Sequence, residues 1–187
     1  FIENILELGS GFGGFARYAA THYNCEITCF NISKEQVVYA REKNKGLPII
    51  THEQDYRDAF FLGENFDKVV SIGLAEHIGP KNYKNFIKTA HNCLKNEGLF
   101  LLHTIGRHDS AKPGQTDSWI NRYIFPGGHL PSASQITRAA EGYFRLEDIH
   151  NIGHDYAPTL MSWYNNFNKN WKYIQEHHGE RIYTIMQ

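Results

Sequence analysis

Through the first hundred positions, apolar residues come in short runs separated by polar, helix-prone stretches. Ile2 to Leu8 is one such run, ending in Gly9-Ser10-Gly11-Phe12-Gly13-Gly14, and Phe15 to His22 then has helical character. That opening reads as strand, glycine turn, helix. Cys25 to Phe30 predicts a second strand. Ser33 is placed to cap a helix, with Glu35 and Gln36 in its first turn and Val37, Val38 and Ala40 behind. A third strand fits Pro48 to Thr51 and a fourth Phe66 to Ile72, whose Val69-Val70 centre suits burial on both faces. Asn82 to Leu94 predicts a helix, Lys95 to Gly98 a turn and Leu99 to His103 a fifth strand.

Strands alternating with helices predict a doubly wound α/β fold with a mostly parallel central sheet flanked by helices. After His103 the pattern loosens. Gly106 to Thr116 is polar, Trp119 to Phe125 is aromatic-rich, and Pro126-Gly127-Gly128 is a turn. Ser132 or Ser134 can cap a helix through Ala140, Phe144 to Ile152 reads as a strand, and Leu160 to His177 as an aromatic-rich helix. With 187 residues, one domain spanning positions 1–187 is expected. The chain opens on Phe1 with a strand almost at once, and the pattern lacks the closing strand a sheet of this kind ordinarily has, so the chain is expected to be incomplete at both ends.

Composition removes several function classes. The formal net charge is −1, which argues against nucleic acid as a partner. No apolar run approaches the ~20 residues a transmembrane helix needs. The three cysteines, Cys25, Cys29 and Cys93, form no C-x-x-C pair, so reduced thiols in a cytoplasmic setting are expected. Cys25 and Cys29 lie four apart on one strand and should share a face as small buried hydrophobes. The histidines, including His177-His178, show no metal-ligand spacing, and no metal is assigned.

Open α/β sheets bind ligands beyond the carboxyl ends of their strands, where the order reverses. The glycines permit positive φ and close approach of a ligand, and the following helix offers free N–H groups. By itself such a turn suits a nicotinamide, a flavin or S-adenosylmethionine, or is only a tight turn. A dinucleotide site usually carries an acid about 20 residues on. Cys29 to Ser33 offers none, whereas Glu7 precedes the turn on the strand, which favours S-adenosylmethionine. Glu76 follows the fourth strand and His103 ends the fifth, so both are expected at the carboxyl rim beside the turn. A solvated rim charge and a strand-edge histidine are the plain alternatives.

These residues resemble the cyclopropane-fatty-acid synthase family, which includes the mycolic acid cyclopropane synthases. Glu7 to Gly14 is similar to its cofactor loop, with Ser10 where many members have cysteine. Asn31-Ile32-Ser33-Lys34-Glu35-Gln36 resembles its T-x-S-x-x-Q segment, and Gln54 to Asp58 its adenine-side loop. Ser71 to Tyr83 resembles V-S-x-G-x-x-E-H-x-G, and Leu101 to Gly106 resembles L-L-H-T-I-G. Tyr123 to Ser132 resembles I-F-P-x-G-x-L-P-S, and His154 to Trp163 the H/D-Y-x-x-T-L-x-x-W segment. The likeness covers essentially the whole chain.

The resemblance implies a class I S-adenosylmethionine-dependent methyltransferase that adds a methylene across the cis double bond of an unsaturated phospholipid acyl chain. The cofactor is then expected on Glu7, Gly9, Ser10, Gly11, Gly13, Asn31, Ser33, Gln36, Asp55 and Tyr56. It further implies a bicarbonate base held by Glu76, His103, Tyr156 and the backbone of Ile105; Tyr156 beside Trp163 can equally be a packing aromatic. His77 is expected to be structural. Trp119, Tyr123, Phe125, Leu130 and Trp163 are candidates for an acyl channel or for core. The partners implied are acyl chains at the inner membrane surface, reached by a peripheral cytoplasmic enzyme, and a homodimer is compatible with this. A family methyltransferase making a branched methyl group, and a non-catalytic cofactor-binding module, are the competing readings.

Overall fold

The computed structural model describes residues 2–110, 118–123 and 125–179. The chain divides into two compact units, Phe1–Arg145 and Leu146–Gln187. In the first, β1 (Glu3–Leu8), β2 (Cys25–Asn31), β3 (Ile49–Glu53), β4 (Phe66–Ile72) and β5 (Leu94–His103) form one sheet in the order β3-β2-β1-β4-β5. Every neighbouring pair is parallel. The chain steps outward from β1 to β3, returns to the other side of β1 for β4, and continues to β5. The order therefore reverses beside β1, where a crevice opens at the strand ends.

Side-chain alternation splits the core into two layers. Leu6 and Leu8 face Phe30, Val69, Phe86 and Ile87, the layer covered by α4 (Tyr83–Asn92). Ile5 faces Cys25, Ile27, Cys29 and Val70, the layer covered by Ala16 and Ala19 of α1 (Gly14–His22). Cys25 and Cys29 thus share a buried face, as their spacing predicts, and all three cysteines are free. Ser33 caps α2 (Lys34–Lys43) by accepting from the Gln36 N–H.

Several boundaries differ from the sequence expectations. The predicted turn at Lys95–Gly98 lies inside β5 as an irregularity. Phe66 pairs with Leu94 but Lys68 pairs with Leu99, and Glu97 takes a φ of 61° to absorb the extra residues. The strand expected over Phe144 to Ile152 does not form, because its alternating apolar residues find no ladder partner among the described residues. Phe144 packs into the α4 layer, while Leu146, Ile149 and Ile152 are exposed. Between β4 and α4 lies a short helix, α3 (Ala75–Ile78), and after β5 come α5 (Ser118–Tyr123) and α6 (Ala133–Ala140). Ser132 caps α6 in a full capping box with Gln135. The second unit holds α7 (Tyr156–Lys169) and α8 (Trp171–His178), so the single helix expected over Leu160 to His177 starts earlier and breaks at Asn170.

Candidate active site

The glycine turn is built for close approach. Gly9, Gly11 and Gly13 have φ of 80°, 52° and 72°. The N–H groups of Gly9 and Ser10 both donate to the Phe30 carbonyl, which ties the turn to the end of β2. A Cβ on Gly9 would lie 3.0 Å from that of Leu74, and one on Gly13 would lie 2.6 Å from Asn44 Nδ2. A Cβ on Gly11 would meet nothing within 4 Å, so the open side of the turn is there. Ser10 is buried beneath it.

Glu7 sits under the turn, 2% exposed, and its Oε2 accepts from the Cys29 thiol at 3.5 Å. The two residues are register partners on β1 and β2. Burial pushes the Glu7 carboxyl up to about 7, with the Cys29 hydrogen bond opposing slightly. The same burial, together with the Glu7 charge, pushes the Cys29 thiol well above its ordinary range, so it is no nucleophile.

At the end of β2, Asn31 Nδ2 donates to the Gly11 carbonyl at 3.0 Å and to Gln36 Oε1 at 2.9 Å. One amide therefore joins the glycine turn to α2. Asp55 is also engaged: Arg57 grips its carboxylate through Nε at 2.8 Å and Nη2 at 2.7 Å, and holds it below the usual carboxylate range. The Tyr56 ring turns away into the core, edge-on to Phe86 at 5.4 Å.

At the β4–β5 rim, Ile72 pairs with His103, and the Gly73 N–H donates to the His103 carbonyl at 3.0 Å. Glu76, on α3, is 8% exposed, and its Oε1 accepts from the Ile105 N–H at 2.7 Å. Its second oxygen, Oε2, is buried without a partner. Glu76, His103 and Ile105 are thus gathered at one rim, and Leu74, two residues before Glu76, packs against Gly9. His103 itself is exposed. His77 stacks edge-on with Phe125 at 5.5 Å, a structural contact.

One residue at this rim carries no sequence signal. His129 is 6% exposed, and its backbone N–H donates to the Glu76 carbonyl at 2.8 Å. The Tyr83 hydroxyl donates to the His129 carbonyl at 3.4 Å. Burial and the nearby Glu76 charge push that hydroxyl up to about 12. His129 falls on an unspecified position of the I-F-P-x-G-x-L-P-S segment, and only the fold brings it to Glu76.

Tyr156 opens α7 in the second unit, half-exposed and edge-on to Trp163 at 5.9 Å. Trp119, Tyr123, Phe125 and Trp163 are exposed and are not core. A cavity of about 670 Å³ lies between α4 and α6, with Tyr83, Lys84, Gln135 and Arg138 on its wall, and none of the sequence-predicted site residues lines it. No group of three or more metal-ligating side chains occurs among the described residues. No described helix is long and apolar enough to cross a membrane.

This glycine turn beside β1, with an acid and a histidine at the β4–β5 rim, occurs within residues 3–187, which match the family described as mycolic acid cyclopropane synthetase. The chain belongs to that family. Among its relatives is the cyclopropane-fatty-acyl-phospholipid synthase of Escherichia coli (strain K12), 45% identical over 95% of this chain and 45% of the relative. The sphingolipid C9-methyltransferase A of Emericella nidulans is 28% identical over 99% of this chain and 38% of its own length. The crystal structure of mycolic acid cyclopropane synthase CmaA1 complexed with SAH and CTAB superposes with a TM-score of 0.84 at 25% identity. That match covers 98% of this chain and 69% of the other. The chain therefore spans less than half the length of the curated relatives it matches, and it has the α/β fold of class I S-adenosylmethionine-dependent methyltransferases.

Proposed function

We propose that the protein transfers a methylene group from S-adenosylmethionine to the cis double bond of an unsaturated phospholipid acyl chain, forming a cyclopropane ring. The observation that carries this reading is Glu76, a buried carboxylate at the cofactor rim with one oxygen on the Ile105 N–H and the other unpartnered. A buried carboxylate oxygen without a donor is costly unless a ligand supplies one. The residues there fit a bicarbonate: Glu76 accepts from its hydroxyl, and an imidazole such as that of His103 donates to one of its oxygens. S-adenosylmethionine supplies an electrophilic methyl when bound, and bicarbonate supplies a base for the proton lost on ring closure.

The chain's own residues orient and exclude water. Gly9, Gly11 and Gly13 bring the backbone close to the cofactor, and Ser10 lies beneath it. Asn31, Ser33 and Gln36 close the side of the cleft that faces α2. Asp55 and Tyr56 close the adenine side by their main chain, since the Asp55 carboxylate already holds Arg57 and the Tyr56 ring is in the core. Glu76 and the Ile105 backbone hold the proton acceptor next to the reacting carbon, where orientation lowers the barrier. Exposed Trp119, Tyr123 and Phe125 suit an acyl chain entering from a membrane surface, which supports a peripheral enzyme.

A second reading, a branched methyl group in place of the ring, is favoured by the sphingolipid methyltransferase among the relatives. The test uses the full-length protein, S-adenosylmethionine and vesicles of cis-unsaturated phospholipid. A product heavier by one CH₂ and resistant to alkene-specific reagents supports the ring. A heavier product that still reacts supports the branched methyl, and cofactor binding without turnover leaves a binding module.

A further inference from the structure

Two side-chain atoms at this rim are buried with no hydrogen-bond partner: Glu76 Oε2 and His129 Nε2. They belong to residues locked together by main chain, since the His129 N–H donates to the Glu76 carbonyl at 2.8 Å. The turn that delivers His129 is set by its glycines. Gly127 has a φ of 75°, and a Cβ on Gly128 would lie 3.1 Å from the Phe125 carbonyl oxygen and 3.8 Å from the Glu76 carbonyl. Tyr83 fixes the other side by donating to the His129 carbonyl, and Pro131 is fully buried behind. A residue held this firmly, 6% exposed and with its Nε2 unpartnered, is expensive unless something completes it.

The two orphans are chemically complementary. A carboxylate oxygen only accepts, whereas a neutral imidazole nitrogen can donate or accept according to its tautomer. A small molecule carrying both a hydroxyl and an acceptor oxygen satisfies both, and bicarbonate is such a molecule. We propose that His129 is a further positioning residue of the bicarbonate site: its main chain fixes Glu76, and its imidazole supplies a second polar contact for the anion that Glu76 holds. This inference rests on the bicarbonate reading above and adds a residue to it. His103 remains the rim histidine and His129 the buried one.

Histidine-selective ¹⁵N NMR of the full-length protein, saturated with S-adenosylhomocysteine and titrated with sodium bicarbonate, tests this without turnover. The His129 resonances are expected to shift saturably, and the shift should vanish in Glu76→Gln. A shift of His103 alone overturns the role of His129 and leaves the bicarbonate reading standing. No shift of either overturns both. Turnover gives a second measure. His129→Leu is expected to raise the half-saturating bicarbonate concentration about tenfold, the loss of one hydrogen bond to an anion, with that for S-adenosylmethionine within about twofold. His129→Asn, which keeps an N–H donor, should recover most of that loss. Equal rises for both substrates, unrelieved by asparagine, would mean the residue only packs, and the proposal would fail.

Discussion

Glu76 Oε1 accepts the Ile105 N–H at 2.7 Å and so joins the segment after β4 to the segment after β5. The bond occupies one carboxylate oxygen and leaves Oε2 without a partner. Glu76→Gln keeps an oxygen for the Ile105 N–H but cannot hold the negative charge. Turnover in the full-length protein should therefore fall by roughly a hundredfold or more, as expected for a lost proton-acceptor site, with the melting temperature nearly unchanged. Glu76→Ala should lose the same activity and also about 1 kcal/mol of stability with the hydrogen bond. Wild-type turnover by Glu76→Gln would remove Glu76 from the chemistry.

The position of Glu7 under the glycine turn makes folding stability fall as pH rises. Burial lifts its pKa from 4.5 to about 7. Below pH 4.5 the carboxyl is protonated in both folded and unfolded chains. Between 4.5 and 7 the unfolded chain ionises while the folded one resists, so stability is lost across that window and levels off above it. Glu7→Gln lacks the titration. Urea unfolding at pH 5 and pH 8 should show the wild type losing on the order of 3 kcal/mol relative to Glu7→Gln, at 1.36 kcal/mol per pKa unit. Parallel pH dependence in the two proteins would mean that Glu7 is solvated.

The parallel sheet was legible because β1, β2 and β4 carry short apolar runs bounded by turn residues, and the glycine turn marked the switch point. Glu76 and His103 were legible because one follows and the other ends a strand that periodicity already places. The misses have physical causes. Phe144 to Ile152 has strand-like residues, but a strand exists only with a ladder partner, which local pattern does not supply. The insertion in β5 hid inside a Lys-Asn-Glu-Gly sequence that looks like a complete turn. Tyr56 lies in a cofactor-like segment yet turns its ring into the core, because the 3-10 segment Tyr56–Leu62 packs on α4. His129 stands at an unspecified position of a recognisable segment, and its link to the rim is a main-chain contact to Glu76, 53 positions away in the chain.

Gly11 and Gly13 separate folding from binding. On Gly13, φ is 72° and an added Cβ would meet Asn44 Nδ2 at 2.6 Å and Ala40 Cβ at 3.0 Å. Gly13→Ala should therefore cost more than the roughly 1–2 kcal/mol of a left-handed residue alone. Gly11 has φ of 52° with open space where a Cβ would lie, so Gly11→Ala should carry only that backbone cost. The empty side is where the cofactor is proposed to lie, so Gly11→Ala should weaken S-adenosylmethionine about tenfold or more. Thermal melts and calorimetric titration of both variants check the split. Wild-type affinity in Gly11→Ala would put the cofactor elsewhere.

Asn31 occupies the end of β2, where an acid would ordinarily be the better partner for ribose hydroxyls. Here that expectation reverses, because Nδ2 is the donor to both the Gly11 carbonyl and Gln36 Oε1. Asn31→Asp would set a carboxylate against two acceptors, which pushes the glycine turn away from α2. Asn31→Ala only removes the bridge. Calorimetric titration with S-adenosylmethionine should therefore rank wild type above Ala and Ala above Asp, with the alanine loss about tenfold for its two hydrogen bonds. Tighter binding by Asn31→Asp would mean that ribose contact outweighs the bridge, and that the amide does not set the shape of the turn.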